Sequence, residues 1–251
     1  MIETGWIVHK FSPQSKDLIE EARLLLKANT HLVRLADFHV INPLDIIGAQ
    51  KELSEALHAS GLVRKIIEAD IDFFRVLLGS DLHIQKFPYL RIARPSKAQD
   101  NIGMHRDTWY GSSPYEISVS IALENTDDAG ALRVVSGSHA KTEAEYPTVE
   151  RDSSHAKGSE GHKLGFLYAP KKLVDHIDSQ PVPLQVGEAL IFGSALVHGQ
   201  EVNRSADTRF SVDVRLVNSF APIQWERNVH ADYYEVLTVS PVTAQARRYA
   251  A

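Results

Sequence analysis

The segment Asn101-Ile-Gly-Met-His105-Arg-Asp107-Thr-Trp-Tyr110 places an imidazole and a carboxylate two residues apart, and on an extended chain such positions project to the same side. A histidine and an aspartate so arranged can occupy neighbouring positions around one metal ion. A third donor stands at His198 in Gly193-Ser-Ala-Leu-Val-His198-Gly, just after an apolar stretch. The chain has no cysteine, which excludes disulfides, thiolate metal sites and a cysteine nucleophile and leaves histidines and carboxylates to hold any metal. Two imidazoles and one carboxylate on one face of an octahedron leave three positions open, the arrangement suited to Fe(II) centres that bind a cosubstrate and O2 together. Zinc favours a closed tetrahedron or a single open site. In a chain with 12 histidines a lone His-x-Asp is weak, and His198 alone is equally a core histidine.

A further pattern adds weight. Thr208-Arg-Phe-Ser-Val-Asp-Val-Arg215 alternates, with Phe210, Val212 and Val214 on one face and Arg209, Ser211, Asp213 and Arg215 on the other. Turned toward a cavity, the polar face offers a carboxylate the planar fork of an arginine and a hydroxyl. Turned toward solvent, it is a face of paired charges.

Helices and strands must position these groups. Ser12-Pro13 reads as an N-cap with a first-turn proline, followed by Asp17, Glu20 and Glu21 and a stripe of Leu18, Ala22, Leu25 and Leu26. Asn42-Pro43 repeats the start signal ahead of Leu44, Ile47, Leu53 and Leu57, and a third helix is expected over 62–78, stopping at Gly79. From Leu82 to Arg94 the period turns extended, with His83, Gln85, Phe87, Tyr89 and Arg91 on one side and Pro88 marking an edge or bulge. Further strands are expected at 116–124, 131–135, 183–185, 189–192 and 208–217, separated by turns such as Asp127-Asp128-Ala129-Gly130. Between His139 and Gln180 the chain is polar, with little periodicity, and reads as a lid or surface loop. The expected whole is one domain over 1–251, mostly β with a helical cap (α+β): residues 1–80 mainly helical, a core over 82–217, and an extension over 218–251.

Composition bounds the partners. At 251 residues, 43% hydrophobic and 24% charged, the chain can bury a substantial core. Its net charge of −5 and lack of any Lys/Arg-rich block argue against nucleic acid. It shows neither a secretory leader pattern nor a long apolar run, so a cytoplasmic protein without a membrane span is expected. Oligomeric state is not legible.

Together these residues resemble the phytanoyl-CoA dioxygenase-like branch of the Fe(II)/2-oxoglutarate oxygenases, whose pattern is His-x-Asp, a distal His, then Arg-x-Ser beginning eleven positions later. Counting eleven from His198 gives Arg209, with Ser211 two further. Gly130-Ala-Leu-Arg-Val-Val-Ser-Gly-Ser-His139 is similar to the branch's Gly-x-Leu-x-x-x-x-Gly-Ser-His strand and turn, with Ser136 where proline is commoner. The resemblance spans roughly 82–217. It implies a double-stranded β-helix (jelly-roll, cupin-like) core with N-terminal helices packed on one sheet, and His105, Asp107 and His198 as iron ligands. It further implies Arg209 and Ser211 as the anchor for the distal carboxylate of 2-oxoglutarate, O2 as the other cosubstrate, and conversion of 2-oxoglutarate to succinate and CO2 coupled to hydrogen abstraction from a small-molecule substrate. Family members that halogenate replace the metal carboxylate with a small residue; Asp107 therefore favours hydroxylation, or desaturation, epimerisation or ring formation.

In that architecture Gln85, Tyr89 and Arg91 would neighbour the metal, where they contact a cosubstrate or substrate or simply fill the barrel. Trp109 and Tyr110 are a substrate wall or core. Ser118 and Ser120 point opposite to Ile117, Val119 and Ile121, toward a cavity. Arg133 and Arg215 reach a substrate anion, or pair with Asp213 or Glu124. His139 is expected to hydrogen-bond its own turn, and His155, His162 and His176 carry no assigned role. Two other readings stand beside the oxygenase: a metal cupin working without 2-oxoglutarate, and a non-catalytic ligand-binding jelly-roll.

Overall fold

The structure is a computed structural model that describes residues 1–41, 46–150, 172–174, 177–222 and 233–250. Strand β1 (Trp6–Lys10) leads into helices α1 (Pro13–Thr30), α2 (Phe38–Ile41), α3 (Ile46–Ser60), α4 (Leu62–Ala69) and α5 (Ile71–Leu78). Ser12 caps α1 as expected, its Oγ accepting from Ser15 N at 3.2 Å, and Pro13 sits where a missing N–H costs nothing. Ile19, Ala22 and Leu26 are the fully buried part of the α1 stripe. The Asn42-Pro43 start signal lies outside the described residues.

One expectation for this part is corrected. The single helix over 62–78 is broken at Asp70, whose carboxylate leaves the helix axis to accept from Ser12 N at 3.1 Å and to bond His9 Nε2 at 2.9 Å. Beside these helices, residues 1–80 contribute one strand, β1, at an edge of the larger sheet. Gly79 does terminate α5, at a φ of 92° that suits glycine.

The β region comprises β2 (Leu82–Gln85), β3 (Tyr89–Ala93), β4 (Ile117–Ala122), β5 (Leu132–Val134), β6 (Thr148–Glu150), β7 (Lys172–Val174), β8 (Gln180–Val182), β9 (Glu188–Gly193), β10 (His198–Gly199), β11 (Arg209–Asn218) and β12 (Tyr234–Thr238), followed by helix α6 (Pro241–Ala250). The larger sheet has the order β1-β9-β4-β11-β2-β12, with β3 also on β11, and the smaller the order β10-β5-β8. Ala122, Leu190 and Phe192 of the first sheet pack with Val134 and Val182 of the second. This is the expected two-sheet, cupin-like core.

The 82–94 segment is two strands. From Asp213 to Leu216 β11 takes three steps while its partner takes five, from Tyr89 to Ile84, so two residues are extruded around Pro88. An even number preserves the facing of the side chains. The short strand expected at 183–185 lies instead at β8, three residues earlier. The segment after His139, expected to be irregular, contributes β6, paired antiparallel with β7.

Alternation on the large sheet separates two environments. Phe210, Val212, Val214 and Leu216, with Ile117, Val119 and Ile121, pack against helix residues such as Ile19, Leu53 and Ile66. Ser118, Ser120, Arg209, Ser211, Asp213 and Arg215 belong to the opposite face, and all but Asp213 are fully buried polar groups. No helix among the described residues is long and apolar enough to cross a membrane.

Candidate active site

The backbone brings the three ligand candidates together. His105 and His198 form an antiparallel bridge, His105 N donating to His198 O at 2.8 Å and His198 N to His105 O at 2.9 Å. Asp107 begins a 3-10 turn beside them. Donor atoms of all three lie within 4.8 Å of one another, and all three residues are buried.

Their protonation suits a metal. His105 Nδ1 lies 2.8 Å from Gly103 O, and His198 Nδ1 lies 3.0 Å from Leu196 O. A carbonyl only accepts, so each ring carries its proton on Nδ1 and directs the Nε2 lone pair to the cluster. Burial, reinforced by His105, lowers His198 to about 4, so it is neutral near pH 7. For Asp107 burial opposes ionisation, but Arg215, His105 and His198 outweigh it and hold the carboxyl well below the usual range.

Asp107 presents one oxygen. Oδ2 accepts from Ser118 Oγ at 3.0 Å and Arg215 Nη2 at 2.7 Å, while Oδ1 lies 3.6 Å from His105 Nε2 and 3.9 Å from His198 Nε2. Two imidazoles presenting Nε2 and one monodentate carboxylate fit a divalent iron with positions left for cosubstrates.

A cavity opens beside this cluster, lined also by Tyr89, Arg91, Ile102, Leu132, Phe192, Gln200, Arg209 and Arg215. Arg209 Nη2 donates to Gln200 Oε1 at 2.7 Å. Arg209 Nε, Gln200 Nε2 and Ser211 Oγ are buried with no hydrogen-bond partner. Burial, opposed by Asp213 and reinforced by Arg91, lowers Arg209 to about 10. A guanidinium Nε–H, an amide N–H and a hydroxyl, all buried and unpaired, match a carboxylate of a bound cosubstrate.

Other expectations divide. Tyr89 and Arg91 line the cavity; Arg91 Nε donates to Asp213 Oδ2 at 2.7 Å, and Ser120 Oγ donates to Asp213 Oδ1 at 2.7 Å. Arg215 pairs with the ligand Asp107 rather than with Asp213 or Glu124, and Glu124 pairs with Arg23 at 3.1 Å. Arg133 bonds Ser179 Oγ at 2.9 Å and faces Glu201 at 3.4 Å. Gln85 is not brought to the cavity, because its Oε1 accepts from Arg215 N at 3.2 Å and its Nε2 donates to Phe87 O at 2.5 Å, stitching the bulge. Trp109 turns away to donate to Glu143 Oε1 at 2.8 Å. The Tyr110 side chain lies outside the described residues, as do His155, His162 and His176. His139 bonds Ile2 O at 3.0 Å instead of its own turn. Gln200 was not singled out from sequence, although its position two residues after His198 on an extended chain was the available signal.

A sequence model of the family described as phytanoyl-CoA dioxygenase (PhyH) matches residues 39–211. No curated protein matches the chain. Among solved structures, the chain is similar to the apo form of the non-heme monooxygenase ThoJ, at 17% identity and a TM-score of 0.60 over 96% of this chain and 83% of that one. It is also similar to EvdO2 from Micromonospora carbonacea var. aurantiaca complexed with 2-oxoglutarate (16% identity, TM-score 0.54, 90% and 92% covered). The non-heme alpha ketoglutarate dependent carbocyclase SnoK from nogalamycin biosynthesis is a third (16% identity, TM-score 0.53, 89% and 83% covered). At such identities the likeness is one of fold, whereas the family match spans most of the chain and both the His-x-Asp and distal-His segments. The chain belongs to the phytanoyl-CoA dioxygenase family of Fe(II)/2-oxoglutarate-dependent oxygenases.

Proposed function

We propose that the protein oxidises a small-molecule substrate by hydrogen abstraction, with hydroxylation as the outcome. The observation that carries this is one cavity lined both by the buried His105, Asp107, His198 cluster and by Arg209, whose Nε has no partner. His105, Asp107 and His198 would hold Fe(II), which with 2-oxoglutarate would supply O2-activating chemistry coupled to conversion of 2-oxoglutarate to succinate and CO2.

The chain's own part is positioning. His105, Asp107 and His198 would hold the metal, and Arg209 with Ser211 would hold the far carboxylate, fixing the cosubstrate at both ends. Phe192, whose ring centroid is 4.2 Å from that of His198, and Leu132 supply apolar wall that limits water. Arg91 and Tyr89 also line the cavity and would face the substrate; the Arg91 guanidinium is 5.2 Å from the Tyr89 ring centroid. Asp107 stands where a halide would need room, which supports hydroxylation over halogenation. A carbocyclase among proteins of similar fold means that fold alone does not choose between hydroxylation and ring formation.

The test is anaerobic addition of Fe(II) and then 2-oxoglutarate, followed by visible absorption. A weak charge-transfer band is expected, lost in Asp107→Ala and His198→Ala. Absence of both iron uptake and band would refute the proposal; iron uptake with no response to 2-oxoglutarate would favour a metal cupin of another chemistry. With the band in hand, substrate-dependent succinate release across a metabolite panel, with product mass analysis, identifies the substrate and separates hydroxylation from desaturation or cyclisation.

A further inference from the structure

We infer that Gln200 completes the distal-carboxylate site and sets the preference for a 2-oxo diacid over a 2-oxo monoacid. This rests on the reading that Arg209 anchors 2-oxoglutarate. Gln200 is 7% exposed and lines the cavity beside Arg209. The orientation of its amide follows from chemistry: a guanidinium has donors only, so the group facing Arg209 Nη2 at 2.7 Å must be Oε1. Nε2 is then the donor end of the amide. It is buried and has no partner, like Arg209 Nε and Ser211 Oγ.

These unpaired donors share one deficiency, a missing acceptor. Among the described residues no carboxylate lies within ion-pair distance of Arg209, and the acid that acts on it through space, Asp213, gives its two oxygens to Arg91 and Ser120. One carboxylate, with two oxygens and several lone pairs, can accept from Arg209, Ser211 and Gln200 together while balancing the guanidinium charge. Gln200 contributes in two ways. Its oxygen fixes the plane of the arginine, and it does so without neutralising it. A glutamate there would form the ion pair itself and repel the incoming diacid.

The experiment compares 2-oxoglutarate with 2-oxovalerate, which has a methyl in place of the distal carboxylate. Each is titrated anaerobically into Fe(II)-loaded wild type, Gln200→Leu and Gln200→Glu, with the visible band as readout and thermal unfolding as a check of the fold. Gln200→Leu is expected to weaken 2-oxoglutarate about tenfold, the effect of losing a hydrogen bond to a charged group, and to leave 2-oxovalerate within about twofold. Gln200→Glu is expected to weaken 2-oxoglutarate further. Unchanged 2-oxoglutarate binding in both variants overturns the inference while leaving the oxygenase reading intact, and so does an equal loss for both acids, which would mark a structural role. A wild type that takes up iron but gives no band with 2-oxoglutarate overturns both.

Discussion

Arg215 Nη2 lies 2.7 Å from Asp107 Oδ2, joining a buried guanidinium to the carboxylate of the metal cluster. The two side chains are 5% and 3% exposed. Removing one member of such a pair strands the other charge, whereas removing both does not. Arg215→Met is therefore expected to destabilise the metal-free protein by about 3–5 kcal/mol, and the double variant Arg215→Met/Asp107→Asn to recover most of that loss. Chemical denaturation of the wild type, Arg215→Met, Asp107→Asn and the double variant gives the answer. A double variant no more stable than Arg215→Met would mean that Arg215 stabilises the fold through contacts other than Asp107.

The bridge between His105 and His198 depends on Gly199. A Cβ there would stand 2.2 Å from Gly103 O and 2.7 Å from Met104 Cα, both backbone atoms of the segment leading into His105. The two strands cannot stay in register around a side chain, so Gly199→Ala is expected to cost about 1–3 kcal/mol of stability and to weaken Mn(II) binding about tenfold or more by calorimetry. Gly193→Ala, with nothing within 4 Å of the added carbon, serves as the control and should bind as wild type. Normal metal binding by Gly199→Ala would show that the ligand segment can shift without loss.

What was legible in the sequence is what local geometry determines. His105 and Asp107 share a side by simple alternation, and the same rule correctly separated Phe210 and Val212 from Arg209 and Ser211, because β11 pairs with β3 over Arg209–Asp213 and with β4 over Ser211–Leu216, so its middle is held in a ladder on both sides. The edges were not legible. Trp6–Lys10 is only partly buried and its pairing depends on β9, distant in sequence; β12 depends likewise on β2. The break at Asp70 follows from His9 and Ser12, about sixty residues earlier, which no helical periodicity contains. Gln85 was placed on the correct face, but the extruded residues next to it claim its amide.

That same Asp70 contact predicts a pH dependence. Burial raises the carboxyl, but hydrogen bonds from Ser12 and His9 outweigh it, so its folded pKa lies below the usual value. With the folded pKa depressed, the stabilisation is present above the unfolded carboxylate range and is lost as pH falls through the folded value. Asp70→Asn should thus be less stable than wild type at pH 7, and the gap should narrow on acidification below about pH 4. Urea midpoints across that range measure it. A gap constant with pH would mean that the charge of Asp70 contributes nothing to holding β1 against the α4–α5 junction.

Trp109, next but one to a metal ligand, is expected to matter for packing and not for the chemistry. Its ring packs against the cluster of Tyr146, Val174 and Val197, and its Nε1 donates to Glu143. The Arg106 guanidinium lies 5.9 Å from its ring centroid and is held by Ser138 O at 2.7 Å and Lys141 O at 2.9 Å. These contacts fasten the turn after β5 to the segment that carries His105 and Asp107, and neither Arg106 nor Trp109 lines the cavity. Trp109→Phe keeps the apolar surface and loses one partly exposed hydrogen bond, so a cost of about 1 kcal/mol or less is expected, with iron and 2-oxoglutarate titrations unchanged. Trp109→Ala removes the packing as well and should lower stability by about 3 kcal/mol, the low end for a large aromatic because the ring is only partly buried. If Trp109→Phe instead altered 2-oxoglutarate binding at unchanged stability, the ring would have to reach the cavity in the loaded protein.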